Sequence, residues 1–321
     1  MQIAHAFAIH AVRLKTIRNA KSLVRVIEQK MRGLHVSGDW LVITSDSQAP
    51  SRIVPKNMKK LKFLHIDALE LARQLTILES SLYSKIRPME CLGKTWQKVV
   101  MPSDADPAKN VKAFGLHSDR VTNWVARTIL IQSNMKRRTL VIRHFVSIAE
   151  NCRTLNNFFC LTSIISALGS VPVHRSSKTW SMVDARTMKT FGTMRKLIGS
   201  TKDFLEYRES LHKANPPCTP DFRIYLRDLA VIEDDLPAMI EKTQRINFVK
   251  HAKAADVIRD TQQYQNVPYS LQAVPELQEY IILNLQSAIN FEKMYKWSLQ
   301  VEPIESGVGK IARLLSKSGF L

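Results

Sequence analysis

Four carboxylates, Glu209, Glu233, Asp234 and Asp235, are the side chains of this sequence best suited to moving protons, because Asp and Glu serve as general acids or bases when neighbours tune them. Three of them are consecutive and close an amphipathic stretch, and acids at an exposed helix end are ordinarily solvated. Metal chemistry finds no better support. His144, Cys152 and Cys160 lie too far apart in sequence to be read as a ligand set, and neither HExxH nor GxSxG occurs. There is no GxxxxGK[ST] loop and no GxGxxG after a strand; Gly307-Val308-Gly309-Lys310 lacks both the spacing and the strand. The expectation is a protein without covalent chemistry, resident metal or cofactor, holding no nucleotide of its own. Cys91, Cys152, Cys160 and Cys218 form no CxxC pair, which reads as buried thiols in a reducing, cytoplasmic setting.

Binding is the alternative to catalysis, and charge constrains the partner. A formal charge of +19 on 321 residues draws the chain towards nucleic acid, an anionic membrane or an acidic protein. The basic residues are spread along the chain with no aromatic-studded stripe, which speaks against nucleic acid. No apolar run approaches the ~20 residues that cross a bilayer. A hydrophobic content of 45% suffices to bury a large core.

The elements that must position these side chains are helices, arranged around residues 215–266. Pro216 and Pro217 cannot continue a helix, so Thr219 reads as an N-cap with Pro220 at the first helical position. Phe222, Tyr225, Leu226, Leu229 and Ile232 recur at helical spacing and form an apolar face, while Arg223, Arg227, Ala230 and Asp234 fall on another, free to meet a partner. Asp235 and Pro237 end the helix, and a second pattern through Ile246, Phe248 and Val257 completes a helical hairpin. Residues 67–85 read as a helix opened by an Asp67/Glu70 capping box. Ser118 can cap a helix ending near residue 133. Further helices are expected over 140–149, 158–168, 182–198, 202–212 and 275–297, with strand signals almost absent. At the amino terminus, residues 1–30 suit either a basic amphipathic helix or a transit peptide.

The segment TLVIRHFVSIAENCRTLNNFFCLTSIISALGSVPVHRSSKTW, residues 139–180, resembles the central signature of the Ras-type guanine-nucleotide exchange factor catalytic domain. Four more blocks stand in that family's order: HIDALELARQLTILESSLYSKIRPMECLGKTW, NPPCTPDFRIYLRDLAVIEDD, INFVKHAKAADVIRDTQQYQNVPY and MYKWSLQVEP. The resemblance implies an all-α, irregular multi-helix domain with a protruding helical hairpin over residues 64–303. Residues 1–33 look like the last helix of the family's N-terminal accessory exchanger motif; 34–63 would be a basic linker and 304–321 a basic tail.

The same resemblance implies a Ras-family small GTPase as partner, either Ras itself or Rap or another relative. GDP is released so that GTP can rebind. In the family the hairpin opens switch 1, an apolar side chain on it intrudes on the Mg²⁺ site, and an acid one turn later perturbs the phosphate-binding loop. Those positions correspond here to Ala230 and Asp234. Leu116, Asp119, Thr162, Gly169, Phe204, Arg227 and Lys253 correspond to GTPase-binding positions. Several depart from the family's pattern. Gly169 stands for an Asn, Ala230 for a larger aliphatic residue, Arg227 for a Thr, Thr162 for a larger apolar side chain, and Asp235-Leu236 for Gly-Asn. The alternative is therefore a degenerate scaffold that binds the GTPase without emptying it. Lys56, Lys59 and Lys60 in the linker add an expected attraction to anionic membrane, consistent with recruitment to the inner membrane surface.

Overall fold

The computed structural model describes residues 50–54, 61–100, 105–240, 245–287 and 289–304. The fold is all-α, as expected. Its helices are α1 (Ala68–Tyr83), α2 (Lys109–Leu130), α3 (Met135–Thr154), α4 (Phe158–Gly169), the single turns α5 (Val171–His174) and α6 (Ser177–Trp180), α7 (Ala185–Leu197), α8 (Leu205–Lys213), α9 (Phe222–Asp235), α10 (Phe248–Gln262), α11 (Pro275–Gln286) and α12 (Phe291–Val301). Among the described residues the only ladder is a two-residue antiparallel pairing of β1 (Met239–Ile240) with β2 (Arg245–Ile246), between α9 and α10. The expected accessory helix over 1–33, most of the linker and nearly all of the tail lie outside the described residues.

The centre is made by α3 and α4, with α1 packed on α3 and α2 on α4. Helix α4 reads FFCLTSIISALG and is buried almost all round, which is why it carries no charged residue. Phe114 of α2 stacks on Phe159 of α4 with centroids 3.8 Å apart, and Trp124 meets Phe145 edge to face. All four cysteines are buried free thiols, and desolvation pushes that of Cys218 up to about 12. Among the described residues no helix is long and apolar enough to cross a membrane.

Buried polar groups settle several boundaries differently from the sequence pattern. Asp67 caps α1, accepting from Leu69 N at 2.9 Å and Glu70 N at 3.1 Å, but the reciprocal half of the capping box is not made. Glu70 is itself buried and takes the donors around it: Gln74 Nε2 at 2.7 Å, Arg73 Nη1 at 3.1 Å and the Ile53 amide at 3.0 Å. Ser118 does not cap a helix. Helix α2 begins at Lys109, where the carboxylate of Glu90 accepts from the amides of Asn110 and Val111 at 2.7 and 3.2 Å. Ser118 is buried in mid-helix, its hydroxyl 2.8 Å from that of Ser163 on α4. The single helix expected over 275–297 is two helices. Asn123 accepts from the Ile289 amide at 3.0 Å and donates to its carbonyl, and Asn290 caps α12 by accepting from Lys293 N at 2.9 Å.

Two ties bring distant chain together. The Gln74 carboxamide donates to Gln272 O at 2.9 Å and accepts from Val274 N at 3.0 Å. Arg138, 1% exposed on α3, meets Glu302 at 3.3 Å, and that carboxylate also accepts from the amides of Lys178 and Thr179 at 3.0 and 2.9 Å. Burial alone would raise the Glu302 carboxyl, but the hydrogen bonds from Thr179, Lys178 and Arg138 outweigh it and hold it below the usual range.

Candidate functional site

Helix α9 is rooted in the core at its amino end and solvent-exposed at the other. It starts two residues later than Thr219-Pro220 suggests, because Thr219 is engaged in a backbone pairing: its amide donates to Asn156 O at 3.0 Å and its carbonyl accepts from Phe159 N at 3.2 Å. Asp221 is the cap instead, accepting from Arg223 N at 3.2 Å and gripping the Arg223 guanidinium at 2.8 and 2.9 Å. The Asp221 amide donates to Tyr207 Oη at 2.7 Å. Phe222 then packs on Tyr83 of α1 at 5.9 Å, and Ile224, Tyr225 and Leu229 complete the buried face. Tyr225 donates to Asp260 of α10 at 2.8 Å, so the two helices of the pair are joined by a hydrogen bond as well as by packing. Arg208 of α8 forks onto Asp228 with two contacts of 2.9 Å.

The carboxyl end of α9 carries Ala230, partly exposed, and Asp234, whose side chain is 64% exposed. Asp234 forms an ion pair with Lys94. Lys94 and Gly93 occupy consecutive left-handed positions at φ 50° and 59°, and this turn places the lysine against the helix end. Glu233 is not simply solvated. It accepts from the Gly93 amide at 3.3 Å and pairs at 2.6 Å with Lys250 of α10, a lysine only 6% exposed. Burial, with Lys250 nearby, lowers the neighbouring His251 imidazole, against a smaller opposing effect of Glu233.

Of the binding positions read from the sequence, Arg227 and Phe204 are in direct contact. The guanidinium lies 5.3 Å from the ring centroid and 3.2 Å from Asp203. Phe204 follows Lys202 and Asp203 in a run of three non-glycine residues with φ of 49°, 55° and 60°, a locally costly backbone that turns the chain into α8. Leu116 and Asp119 lie one turn apart on α2, both exposed, and Asp119 acts electrostatically on Arg223. Thr162 on α4 is half-buried, its hydroxyl donating to Phe158 O at 2.8 Å. Gly169 ends α4, exposed, at a backbone conformation open to other residues, and a Cβ there would meet nothing within 4 Å. Lys253 is exposed on α10 and makes no side-chain hydrogen bond or ion pair to this cluster, and Gly169 has no side chain with which to make one. Sequence reasoning missed Lys94, Lys250 and the bonded role of Glu233. A glycine followed by lysine in a helix-free stretch was the available signal for the first, but its partner lies 140 residues on.

The arrangement offers a carboxylate and a methyl side chain at the exposed end of an anchored helix, with the partly buried Lys94 paired to that carboxylate. Among the described residues no three His, Cys, Asp or Glu side chains assemble as a metal set. The family model described as the RasGEF domain matches residues 70–252. Cell division control protein 25 of Candida albicans is 34% identical over 304 residues, covering 94% of this chain and 23% of that protein. Its namesake in Saccharomyces cerevisiae is 34% identical over 264 residues, 82% of this chain and 16% of that protein. Ras guanine nucleotide exchange factor Y of Dictyostelium discoideum is 33% identical over 290 residues, 88% and 19% respectively. The chain thus spans roughly a fifth of the length of these curated relatives.

Proposed function

The chain belongs to the RasGEF domain family, and from that premise we propose that it is a guanine-nucleotide exchange factor for a Ras-family small GTPase, with residues 64–303 as the exchange domain. The GTPase lies against Leu116, Asp119, Thr162, Gly169, Phe204, Arg227 and Lys253. The α9–α10 pair enters between switch 1 and the phosphate-binding loop. Ala230 brings apolar surface towards the Mg²⁺ position, and Asp234 competes with phosphate for the loop's backbone donors and lysine. No proton moves in this scheme. Exchange follows from linkage: a GTPase that binds the factor better when empty must bind nucleotide worse by the same factor when the factor is bound. A 10⁴-fold coupling corresponds to roughly 5.5 kcal/mol of differential interaction.

The observation that most supports this reading is the exposure of Asp234 at the carboxyl end of a helix whose other end is fixed by Asp221, Phe222 and Tyr225. Release of labelled GDP from Ras, Rap and related GTPases is the test. Acceleration for at least one of them is expected, with tightest binding to the nucleotide-free form. Complexes equally stable in saturating GDP and GTP would overturn exchange. That outcome would instead support a scaffold that docks without emptying its partner, a reading favoured by the small side chains Gly169 and Ala230. Action in the cytoplasm at the inner membrane surface belongs to the same proposal.

A further inference from the structure

The exchange reading leaves one surface unused. Between Arg120 and Lys202 the chain carries fourteen Lys or Arg residues and two acids, Glu150 and Asp184. Some of these bases are consumed inside the fold: Arg138 and Arg175 by the segment ending in Glu302, and Arg127 by Asn284. Others stand exposed on α3 and α7, which pack against each other: Lys136, Arg137 and Arg143 on the first, Arg186, Lys189 and Arg195 on the second. Lys136, Leu140 and Arg143 follow at helical spacing and share one outward stripe. Aliphatic side chains stand among the cations, with Leu140 49%, Met182 41% and Met188 38% exposed.

We propose that the α3–α7 face docks on anionic bilayers through diffuse charge, without selecting a headgroup. A dedicated anion pocket is not what this face offers. An open cleft of about 570 Å³ does lie there, but Glu150 and Asp184 line it beside Arg143 and Arg186. Asp184 pairs with Arg143 at 3.0 Å and accepts from Thr187 N at 2.9 Å, and the hydrogen bonds from Thr187 hold its carboxyl below the usual range, so it stays negative at neutral pH. A phosphate in the cleft would meet two acids, whereas a charged plane above it would meet mainly the bases. Exposed Leu and Met among cations suit the boundary between headgroups and acyl chains. A nucleic acid would need rings to stack on, but Trp180 and Phe191 stack on each other at 5.2 Å and Phe191 is buried. Each base near such a membrane strengthens partitioning roughly fivefold.

The inference stands independently of exchange activity. Its test is sedimentation of the full chain with phosphatidylcholine vesicles, alone or with phosphatidylserine or phosphatidylglycerol at equal surface charge. The parent is expected to bind both anionic mixtures equally and to lose binding as salt rises. Combined Lys136→Glu, Arg186→Glu and Lys189→Glu is expected to weaken that binding about 100-fold, three fivefold steps, with circular dichroism unchanged. Combined Lys56→Glu, Lys59→Glu and Lys60→Glu changes net charge equally and should weaken it far less. Binding indifferent to anionic lipid, equal loss in both triple variants, or loss only in the linker variant would overturn the proposal. So would a face variant that keeps its vesicles and loses affinity for duplex nucleic acid instead. GDP release from a lipid-free GTPase is read alongside, so that a protein that docks but does not exchange separates this proposal from the exchange reading.

Discussion

At the residue scale the proposed chemistry rests on Asp234 and on what holds it. In the free protein its carboxylate is paired with Lys94, so engaging a phosphate-binding loop requires that pair to open. An exposed ion pair contributes about 0.5 kcal/mol, so Lys94→Met should speed GDP release only about twofold, and should have no effect in an Asp234→Asn background. Asp234→Lys should abolish release, while Ala230→Leu, adding apolar bulk at a partly exposed site, should raise it. Folded Asp234→Lys protein releasing nucleotide as fast as the parent would remove this helix end from the mechanism. Gly169 allows a separate test. Its backbone needs no glycine and a Cβ meets open space, so Gly169→Asn should stabilise the fold by about 0.5 kcal/mol and tighten GTPase docking through the added amide. Thermal melts and equilibrium binding measure the two effects. The place of Asp234 and Ala230 off the buried face of α9 was legible from helical spacing. Lys94 was not, because the left-handed turn that aims it leaves no periodic trace and its partner is far along the chain.

At the scale of elements, α9 is held by core packing at its amino end and by polar contacts at its carboxyl end. Its amino-terminal turns are fixed by Phe222, Tyr225 and the Arg208–Asp228 fork, whereas its last turn rests on Glu233, Asp234 and the turn at Gly93. Amides from 224 to 232, in a helix with one face open to solvent, should exchange with deuterium faster than those from 161 to 168, which lie in the buried α4. Equal protection would show that α9 is held as firmly as the central α4. Most helices were legible because their apolar spacing is the imprint of one buried face. The misreadings share one cause: a boundary set by a distant polar group. Glu90 starts α2, Asn123 holds open the gap between α11 and α12, and the pairing of Thr219 postpones α9. Local pattern carries no information about such partners.

For the whole molecule, the tie between Arg138 and Glu302 carries the most consequence. Glu302→Ala would leave a guanidinium 1% exposed without its carboxylate, a change that costs about 3 kcal/mol when a buried pair is broken. Because the Glu302 carboxyl is held below its unfolded value, its contribution is complete above the unfolded pKa and is lost as pH falls through the folded one. The difference between parent and variant in urea midpoint should thus be constant near neutrality and shrink below about pH 4. A difference that persists unchanged at pH 3 would locate the effect in packing.

That tie also orders events in time. During synthesis α3 leaves the ribosome long before residue 302, and until then Arg138 has no acid to receive it; the same holds for Gln74, whose partners are Gln272 and Val274. Helices α1 to α4 can collapse early, but the charge at their centre is neutralised only by a residue translated 164 positions after Arg138. A nascent chain therefore waits, compact and incomplete, for Glu302, and it is in that interval that its exposed apolar surface is most open to chaperones.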